Sequence, residues 1–148
     1  MSFLIDTNIL VRLVDAAALQ HKEASDAIKK LLKNKEDLYI IHETLIEFWV
    51  VATREKKYNG LGLSPDEANK EISNLLKVFI LLPDSPLFPE WRNLVTANQI
   101  CGYKAYDARL VAAMAVHSID RLLTFNDADF KYYSGIAVET PKAVLAKP

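Results

Sequence analysis

The sequence predicts a three-layer α/β/α domain, in which a central, mainly parallel sheet of four or five strands lies between layers of helices. Short apolar runs of the kind found in buried strands recur along the chain. Helix-starting residues and helical periodicity follow them, and strands that are separated by helices pair in parallel. The chain has 148 residues, close to the commonest size of one domain, so we expect a single domain over residues 1–148.

The first half of the chain predicts two strands and four helices. The strands are the apolar runs at 3–5 and 38–41, and the helices are expected at 9–14, 21–34, 44–57 and 65–76. The helix at 44–57 is apolar nearly all round, so we expect it to be buried. Ser64 and Pro65 have the residue types of a helix cap and first helical position.

The second half predicts the remaining elements. Strands are expected at 78–82 and 122–124, a possible fifth strand at 135–138, and helices at 89–100 and 105–116. Parallel crossovers bring the carboxyl ends of all strands to one edge of the sheet, where the binding sites of such folds gather. Polar residues that directly follow a strand are therefore the first candidates for function.

Composition excludes several classes of function. There are 18 basic and 19 acidic residues, a net charge of −1, which excludes a uniformly basic nucleic-acid-binding surface. Glycine-rich nucleotide-binding motifs are absent, and Cys101 is the single cysteine. The amino terminus does not resemble a signal peptide and no apolar run is long enough for a membrane span, so we expect a cytoplasmic protein without membrane contact. Three scattered histidines give no metal-ligand spacing, which leaves carboxylates for any chemistry.

Three acidic residues stand where a structural role explains them incompletely. Asp6 directly follows the first predicted strand, with a helix N-cap as the alternative. Glu47 interrupts an apolar helix, where an unpaired carboxylate costs several kcal/mol; an ion pair with Arg54 or Arg109 is the alternative. Asp107 begins another apolar helix, with a favourable helix-dipole interaction of about 0.3–1 kcal/mol as the alternative.

Asp127 and Asp129 follow the strand at 122–124, and each alone is an ordinary turn residue. The coincidence of several acids at one edge is what points to function. Two carboxylates about 5 Å apart repel by roughly 3 kcal/mol at an effective dielectric constant near 20, so such a cluster needs a cation or shared protons. Oxygen-only ligands suit Mg²⁺ or Mn²⁺ rather than Zn²⁺, and these ions suit phosphate chemistry.

Four segments resemble the PIN-domain ribonucleases, and most closely the toxins of VapBC-type toxin–antitoxin pairs. They are the hydrophobic-Asp-Thr-Asn opening at 4–10, the segment at 44–47 with an acid three residues after a threonine, the alanine-rich helix at 106–115, and the closing strand and turn at 122–130. They occur in the order of the family and span essentially the whole chain.

The resemblance implies an acidic metal site of Asp6, Glu47 and Asp107. The position of the family's fourth acid is Asn126 here, with acids beside it. Whether Asn126, Asp127 or Asp129 completes the site is open at this point; Asp127 is included among the catalytic candidates.

Supporting roles follow from the same resemblance. The hydroxyls of Thr7 and Thr124 are expected beside the site, where they could hold a metal-bound water, and Asn126 could ligate through its carbonyl or a water. Asp129 is expected to cap the next turn and Asn8 to serve in local capping.

The resulting prediction is a Mg²⁺- or Mn²⁺-dependent endoribonuclease, a toxin that forms homodimers and binds an antitoxin. Arg109 and Lys104, near Asp107, are the predicted RNA-binding residues. Other candidates for a basic rim are Lys22, Lys29, Lys30, Lys33, Arg54, Lys56 and Lys57, although a solvated helix face explains most of them. The alternative is a non-catalytic PIN fold that binds RNA or protein, which Asn126 in an acid position favours.

Overall fold

The computed structural model describes residues 1–148, with five strands and seven α-helices. The strands are β1 (Ser2–Ile5), β2 (Asp37–Ile40), β3 (Ile80–Leu81), β4 (Arg121–Leu123) and β5 (Ala137–Glu139). The helices are α1 (Thr7–Val14), α2 (His21–Lys33), α3 (His42–Thr53), α4 (Pro65–Val78), α5 (Phe88–Ala97), α6 (Lys104–Val116) and α7 (Pro141–Ala146). None of these helices combines the length and the apolar character needed to cross a membrane.

All five strands form one parallel sheet in the order β3-β2-β1-β4-β5. The chain winds outward from β1 to β3 on one side and then crosses to β4 on the other. The carboxyl ends of β1 and β4 therefore flank the topological switch point, where ligands bind in open parallel sheets. Leu4 pairs with Leu122 and Ile5 with Leu123, so the residues that follow these strands, Asp6 and Thr124, come side by side.

Two hydrophobic clusters cover the two faces of the sheet and confirm the three predicted layers. Alternating residues of β1 divide between them: Phe3 and Ile5 belong to one cluster and Leu4 to the other. The first cluster joins the sheet to α1, α2, α3, α4 and α7, and the second joins it to α5 and α6. Five helices therefore cover one face of the sheet and two cover the other.

Helix α3 corrects two sequence-based expectations. It ends at Thr53 rather than at residue 57, because Arg54 adopts extended backbone and a single 3₁₀ turn follows at Lys56–Tyr58. It is buried on one face only, through Thr44, Phe48 and Ala52 at four-residue spacing, whereas the side chains of Ile46 and Val50 are exposed. The uniform hydrophobicity of the helix therefore overstated its burial.

Helix α7 and a second 3₁₀ turn, Asp127–Phe130, lie outside the sequence-based assignment. The hydroxyl of Thr140 accepts a hydrogen bond from the amide of Ala143, and Pro141 occupies the first helical position. This pair of residue types is a usual helix start, so a signal for α7 exists in the sequence. The helix lies against α2 and contributes Val144 to the core.

Candidate active site

Asp6 is a buried carboxylate without a cationic partner. Its Oδ1 accepts a hydrogen bond from the amide of Thr7 at 2.7 Å, and its Oδ2 accepts one from the hydroxyl of Thr124 at 2.8 Å and a longer one from Asn8 Nδ2 at 3.4 Å. Burial raises the pKa of Asp6 to about 6, against the lowering effect of the bonds from Thr124 and Thr7, and repulsion from Asp107 and Asp129 adds to the rise. Asp6 is thus the N-cap of α1, and its carboxylate is also a buried charge that no cationic side chain compensates.

Glu47 on α3 has one oxygen bound by a hydroxyl and the other by a guanidinium. Its Oε2 accepts a hydrogen bond from Thr7 Oγ1 at 2.9 Å, and its Oε1 pairs with Arg109. This is one of the two ion pairs that the sequence offered as alternatives for Glu47. Its side chain is 45% exposed, so the pair lies at the cavity surface rather than in the core.

Asp107 lies in the first turn of α6, and its side chain is half-buried. Burial raises its pKa, and repulsion from Asp129 raises it further. A first-turn acid that interacted only with the helix dipole would have its charged form favoured, which is the opposite direction. Burial, with a smaller contribution from Asp129, therefore outweighs the dipole at this position.

The three acids line one open cavity of about 750 Å³ at the switch point. We call it the acidic cavity. The uncharged polar side chains that share this lining with Asp6, Glu47 and Asp107 include those of Thr7, Asn8 and Asn126. Acids that are far apart in the chain thus line the same cavity at this edge of the sheet.

Asp127 and Asp129 differ in their surroundings. Neither residue is part of the lining of the acidic cavity, and Asp127 Oδ2 lies 4.0 Å from Lys131 Nζ in a solvent-exposed pair. Asp129 is close enough to Asp6 and Asp107 to raise the pKa of both by charge repulsion. The acid that adds charge to the cluster is thus Asp129, which the sequence suggested as a turn cap.

Thr124 and Asn8 connect β4 to the start of α1. The Thr124 hydroxyl, fully buried, donates to Asp6 and accepts hydrogen bonds from Asn8 Nδ2 at 3.1 Å and from the amide of Asn126 at 3.0 Å. Asn8 Oδ1 accepts a bond from the amide of Phe125 at 3.2 Å. Asn8 therefore does more than local capping, because it bonds to residues more than a hundred positions away.

The two predicted RNA-binding residues have different positions. Arg109 reaches Glu47 from α6 and stacks over the ring of Tyr106, 5.3 Å from its centroid. Lys104 lies over Tyr132, 6.0 Å from the ring centroid, and lines a separate depression beside Cys101. Neither residue is part of the lining of the acidic cavity, but Arg109 contacts Glu47, which is.

Sequence-based reasoning missed one basic residue of the cavity, Arg12. Asn8 and Arg12 line it from α1 and Asp15 from its C-cap, and the spacing of four residues places Asn8 and Arg12 on one helix face. That spacing, continued from the Asp-Thr-Asn segment, is the signal that could have identified Arg12.

The donor chemistry of the cavity fits a hard divalent cation. Its acidic groups offer oxygen atoms only, and Asp6 carries a buried charge that neutral donors alone stabilise. As the side chains stand, no three acidic, histidine or cysteine residues are close enough together to share one ion. Glu47 in particular is held by Thr7 and Arg109.

Together, the fold and the site define an α/β/α protein with an open, acid-lined cavity at the switch point of a parallel sheet. The family model described as PIN domain matches residues 3–136. The chain belongs to the PIN domain family. Among curated proteins, none matches it in sequence.

Solved structures of toxin–antitoxin systems share the fold. A chain in the structure of VapBC2 from Rickettsia felis, bound to a DNA fragment from their promoter, aligns with a TM-score of 0.71 and 17% identity over 95% of this chain and 98% of that one. A toxin–antitoxin complex from Klebsiella pneumoniae gives 0.61 and 26% over 93% and 96%. VapC20 from Mycobacterium tuberculosis, described as a sarcin–ricin loop cleaving toxin, gives 0.63 and 18% over 91% and 96%.

Proposed function

We propose that this PIN domain is a Mg²⁺- or Mn²⁺-dependent endoribonuclease. The observation that carries the proposal is that Asp6, Glu47 and Asp107 line one open cavity at the switch point. Asp129 lies close enough to Asp6 and Asp107 to raise the pKa of both. An open cavity of this kind admits an extended polymer, whereas its acids would repel the phosphates unless a cation were bound. The fold that the chain shares with VapC20, described as cleaving the sarcin–ricin loop, supports RNA as substrate.

Asp6, Asp107 and Glu47 are the proposed metal ligands. Glu47 would exchange its contact with Arg109 for the ion, which is feasible because the pair is partly exposed. A bound Mg²⁺ or Mn²⁺ would supply charge stabilisation to the phosphodiester and make water easier to deprotonate.

The residues of the chain itself would orient and stabilise the reacting groups. The Thr7 hydroxyl fixes Glu47, which could hold the attacking water. Arg109, once it leaves Glu47, presents a cationic fork to the phosphoryl oxygens. Water oxygen would attack phosphorus and give up a proton as the bond to the 3′ oxygen breaks, and the leaving oxygen would take up one proton, so the products would carry a 5′-phosphate and a 3′-hydroxyl.

The proposal extends to a toxin that pairs with a cognate antitoxin and acts in the cytoplasm. It is supported by the relatives of the same fold that are described as VapBC or toxin–antitoxin complexes. A homodimer is also proposed, on the resemblance alone. Co-purification with the product of a neighbouring short reading frame tests the antitoxin, and sedimentation of the purified chain tests the dimer.

Cleavage of a labelled structured RNA in Mn²⁺ tests the activity. Wild type should cut, Asp6→Asn should lose at least a hundredfold of the rate, and products should carry 5′-phosphates. Asp120→Asn is the matched control, because Asp120 is exposed and precedes β4 at the opposite edge of the sheet. Equal cutting by wild type and Asp6→Asn would indicate a contaminating nuclease and contradict the proposal.

The second candidate is a PIN fold that binds RNA or a protein without cutting. Asn126 favours it, since this amide lines the acidic cavity where the family pattern has an acid. RNA binding by wild type without cleavage in either Mg²⁺ or Mn²⁺ would support this candidate against the nuclease.

A further inference from the structure

The acidic cavity extends away from its carboxylates along two helices. α1 and α3 pack together, and both begin at the carboxyl edge of the sheet. Arg12 lies on α1, while Arg54 and Lys56 follow α3, and all three line the cavity. Arg54 is seven residues beyond Glu47, which is about 10 Å along a helix axis at 1.5 Å per residue.

We propose that Arg12, Arg54 and Lys56, here called the cationic arm, bind phosphate groups of the RNA strand beside the one that is cleaved. This inference rests on the proposed ribonuclease function and deepens it. Phosphates of a stacked strand follow each other at about 3.4 Å of rise, so a distance of about 10 Å corresponds to roughly three nucleotides. The arm would therefore hold the strand a few nucleotides from the scissile bond.

The three cations are free to bind an anion, because none has a carboxylate partner. Arg12 Nε donates to the neutral amide of Gln20 at 3.0 Å, and Arg54 Nη2 donates to the Asn59 carbonyl at 3.3 Å. Lys56 makes no ion pair, whereas the neighbouring Lys57 lies 3.3 Å from Glu55.

One acid, Asp15, also lines this part of the cavity. Its Oδ1 is 3.3 Å from the amide of Ala17, from which it accepts a hydrogen bond. Three cations against one anion leave the arm positive, while the carboxylate end is negative. A cavity with opposite charge at its two ends suits a ligand that is clamped through a cation at one end and bound directly through phosphates at the other.

The segment that carries Arg54 and Lys56 is fixed by its backbone. The amide of Gly62 donates to the Arg54 carbonyl at 2.9 Å, and the amide of Leu61 donates to the Val51 carbonyl at 3.0 Å. A side chain at Gly60 would have its Cβ 1.9 Å from the Arg54 carbonyl oxygen, so only glycine permits this close approach. The backbone that carries Arg54 and Lys56 is therefore fixed before any ligand binds, which reduces the entropy lost on binding.

RNA is favoured over an acidic peptide because the arm and the carboxylates share one cavity. When one phosphodiester of an RNA strand lies at the carboxylates, the neighbouring phosphates of the same strand must lie on either side of it, within reach of the arm. An acidic segment of a partner protein would bind the arm without any need for the carboxylate end. The two occupants are distinguished in the experiment below.

Binding of a fluorescein-labelled, single-stranded RNA of about twelve nucleotides tests the arm independently of cleavage. Anisotropy is measured in a chelator over a series of salt concentrations, with the full chain. Arg54→Ala and Lys56→Ala are each expected to reduce the salt slope of log K by about 0.7, which is about a fivefold loss of affinity at 0.1 M salt. Lys57, which the sequence offered for a basic rim, pairs with Glu55 and does not line the cavity, so Lys57→Ala is the matched control and should bind like wild type.

A methylphosphonate oligomer of the same sequence lacks the backbone charge, so wild type and Lys56→Ala should bind it equally. Circular dichroism melting checks that every variant is folded. The inference is overturned if folded Arg54→Ala and Lys56→Ala bind RNA like Lys57→Ala, if wild type does not bind the RNA, or if the substitutions weaken only an acidic peptide probe. If binding depends on the arm but Mn²⁺ produces no cleavage, the inference stands and the proposed nuclease function fails.

Discussion

The Thr124 hydroxyl donates a hydrogen bond of 2.8 Å to the Asp6 carboxylate across the switch point of the sheet. The two residues are 118 positions apart in the chain and directly follow the adjacent parallel strands β1 and β4. The contact fixes the most buried acid of the site, and it depends on the register of the two central strands. The pairing of β1 with β4 therefore also sets the geometry of the site.

Replacing Thr124 with valine tests this coupling. The variant keeps the shape of the side chain but removes the donor to Asp6 and the acceptor for Asn8 and Asn126. We expect a loss of about 1–3 kcal/mol in the free energy of unfolding, because buried polar groups lose their partner. The pKa of Asp6 should rise further, since the bond from Thr124 lowers it. Urea unfolding and carboxyl NMR titration measure the two effects, and Thr124→Ser should restore much of both.

The raised pKa of Asp6 predicts a pH-dependent stability. The pKa rises from 3.8 in the unfolded chain to about 6 in the fold, so this group stabilises the folded state fully below about pH 4. That contribution is lost as the pH rises through 6, by at most about 3 kcal/mol at 1.36 kcal/mol per unit of pKa. Metal-free Asp6→Asn should therefore melt at a higher temperature than wild type at pH 8, and the difference should shrink toward pH 4.

The control for this prediction is Asp120→Asn, which should show no such pH-dependent gain. Mn²⁺ should raise the melting temperature of wild type but not of Asp6→Asn, because a ligand that binds only the folded state stabilises it. A lower melting temperature of Asp6→Asn at pH 8, without a metal response in wild type, would instead assign Asp6 to helix capping alone.

Arg109 is expected to affect metal binding and cleavage in opposite directions. Arg109→Ala removes a cation that occupies Glu47, so the metal-free variant should bind Mn²⁺ several-fold more tightly. Its rate of RNA cleavage should nevertheless fall, because the guanidinium would no longer stabilise the phosphoryl group. Stability should change by less than about 1 kcal/mol, since both side chains of the pair are partly exposed.

Calorimetry with Mn²⁺ and single-turnover cleavage provide the two measurements. Arg109→Lys keeps the positive charge without the planar fork and should fall between wild type and the alanine variant in both. Weaker Mn²⁺ binding by Arg109→Ala would show that the arginine supports the metal site instead of competing with Glu47.

The layered fold could be predicted because its signals are local. Short apolar runs followed by polar helix starts define β1 and β2, and parallel pairing follows from the intervening helices. The extent to which α3 is buried could not be predicted, because Ile46 and Val50 have the hydrophobicity of core residues while neighbouring elements leave them exposed. Periodicity identifies a buried face only where the opposite face is polar.

The acidic cavity was predictable from position, and its details were not. Asp6, Glu47 and Asp107 each stand at a strand end or on an apolar helix, so each conflicts with its local sequence. The choice between Arg54 and Arg109 as the partner of Glu47, and the role of Asn8, depend on side-chain directions across more than one element, which no local pattern encodes. The same applies to the turn after β4, where neighbouring acids have different surroundings.

In that turn, we predict that Asp129 rather than Asp127 is the fourth acid of the site. Asp129 raises the pKa of Asp6 and Asp107, whereas Asp127 pairs with Lys131 at the surface. Asp129→Asn should therefore lower the pKa of both neighbours by removing like charge, and should weaken Mn²⁺ binding by about 10- to 100-fold, as loss of an outer ligand does. Asp127→Asn makes the same chemical change two residues away and should alter neither. Carboxyl NMR titration and Mn²⁺ calorimetry on the two variants decide between them, and the reverse pattern would identify Asp127 as the acid that completes the site.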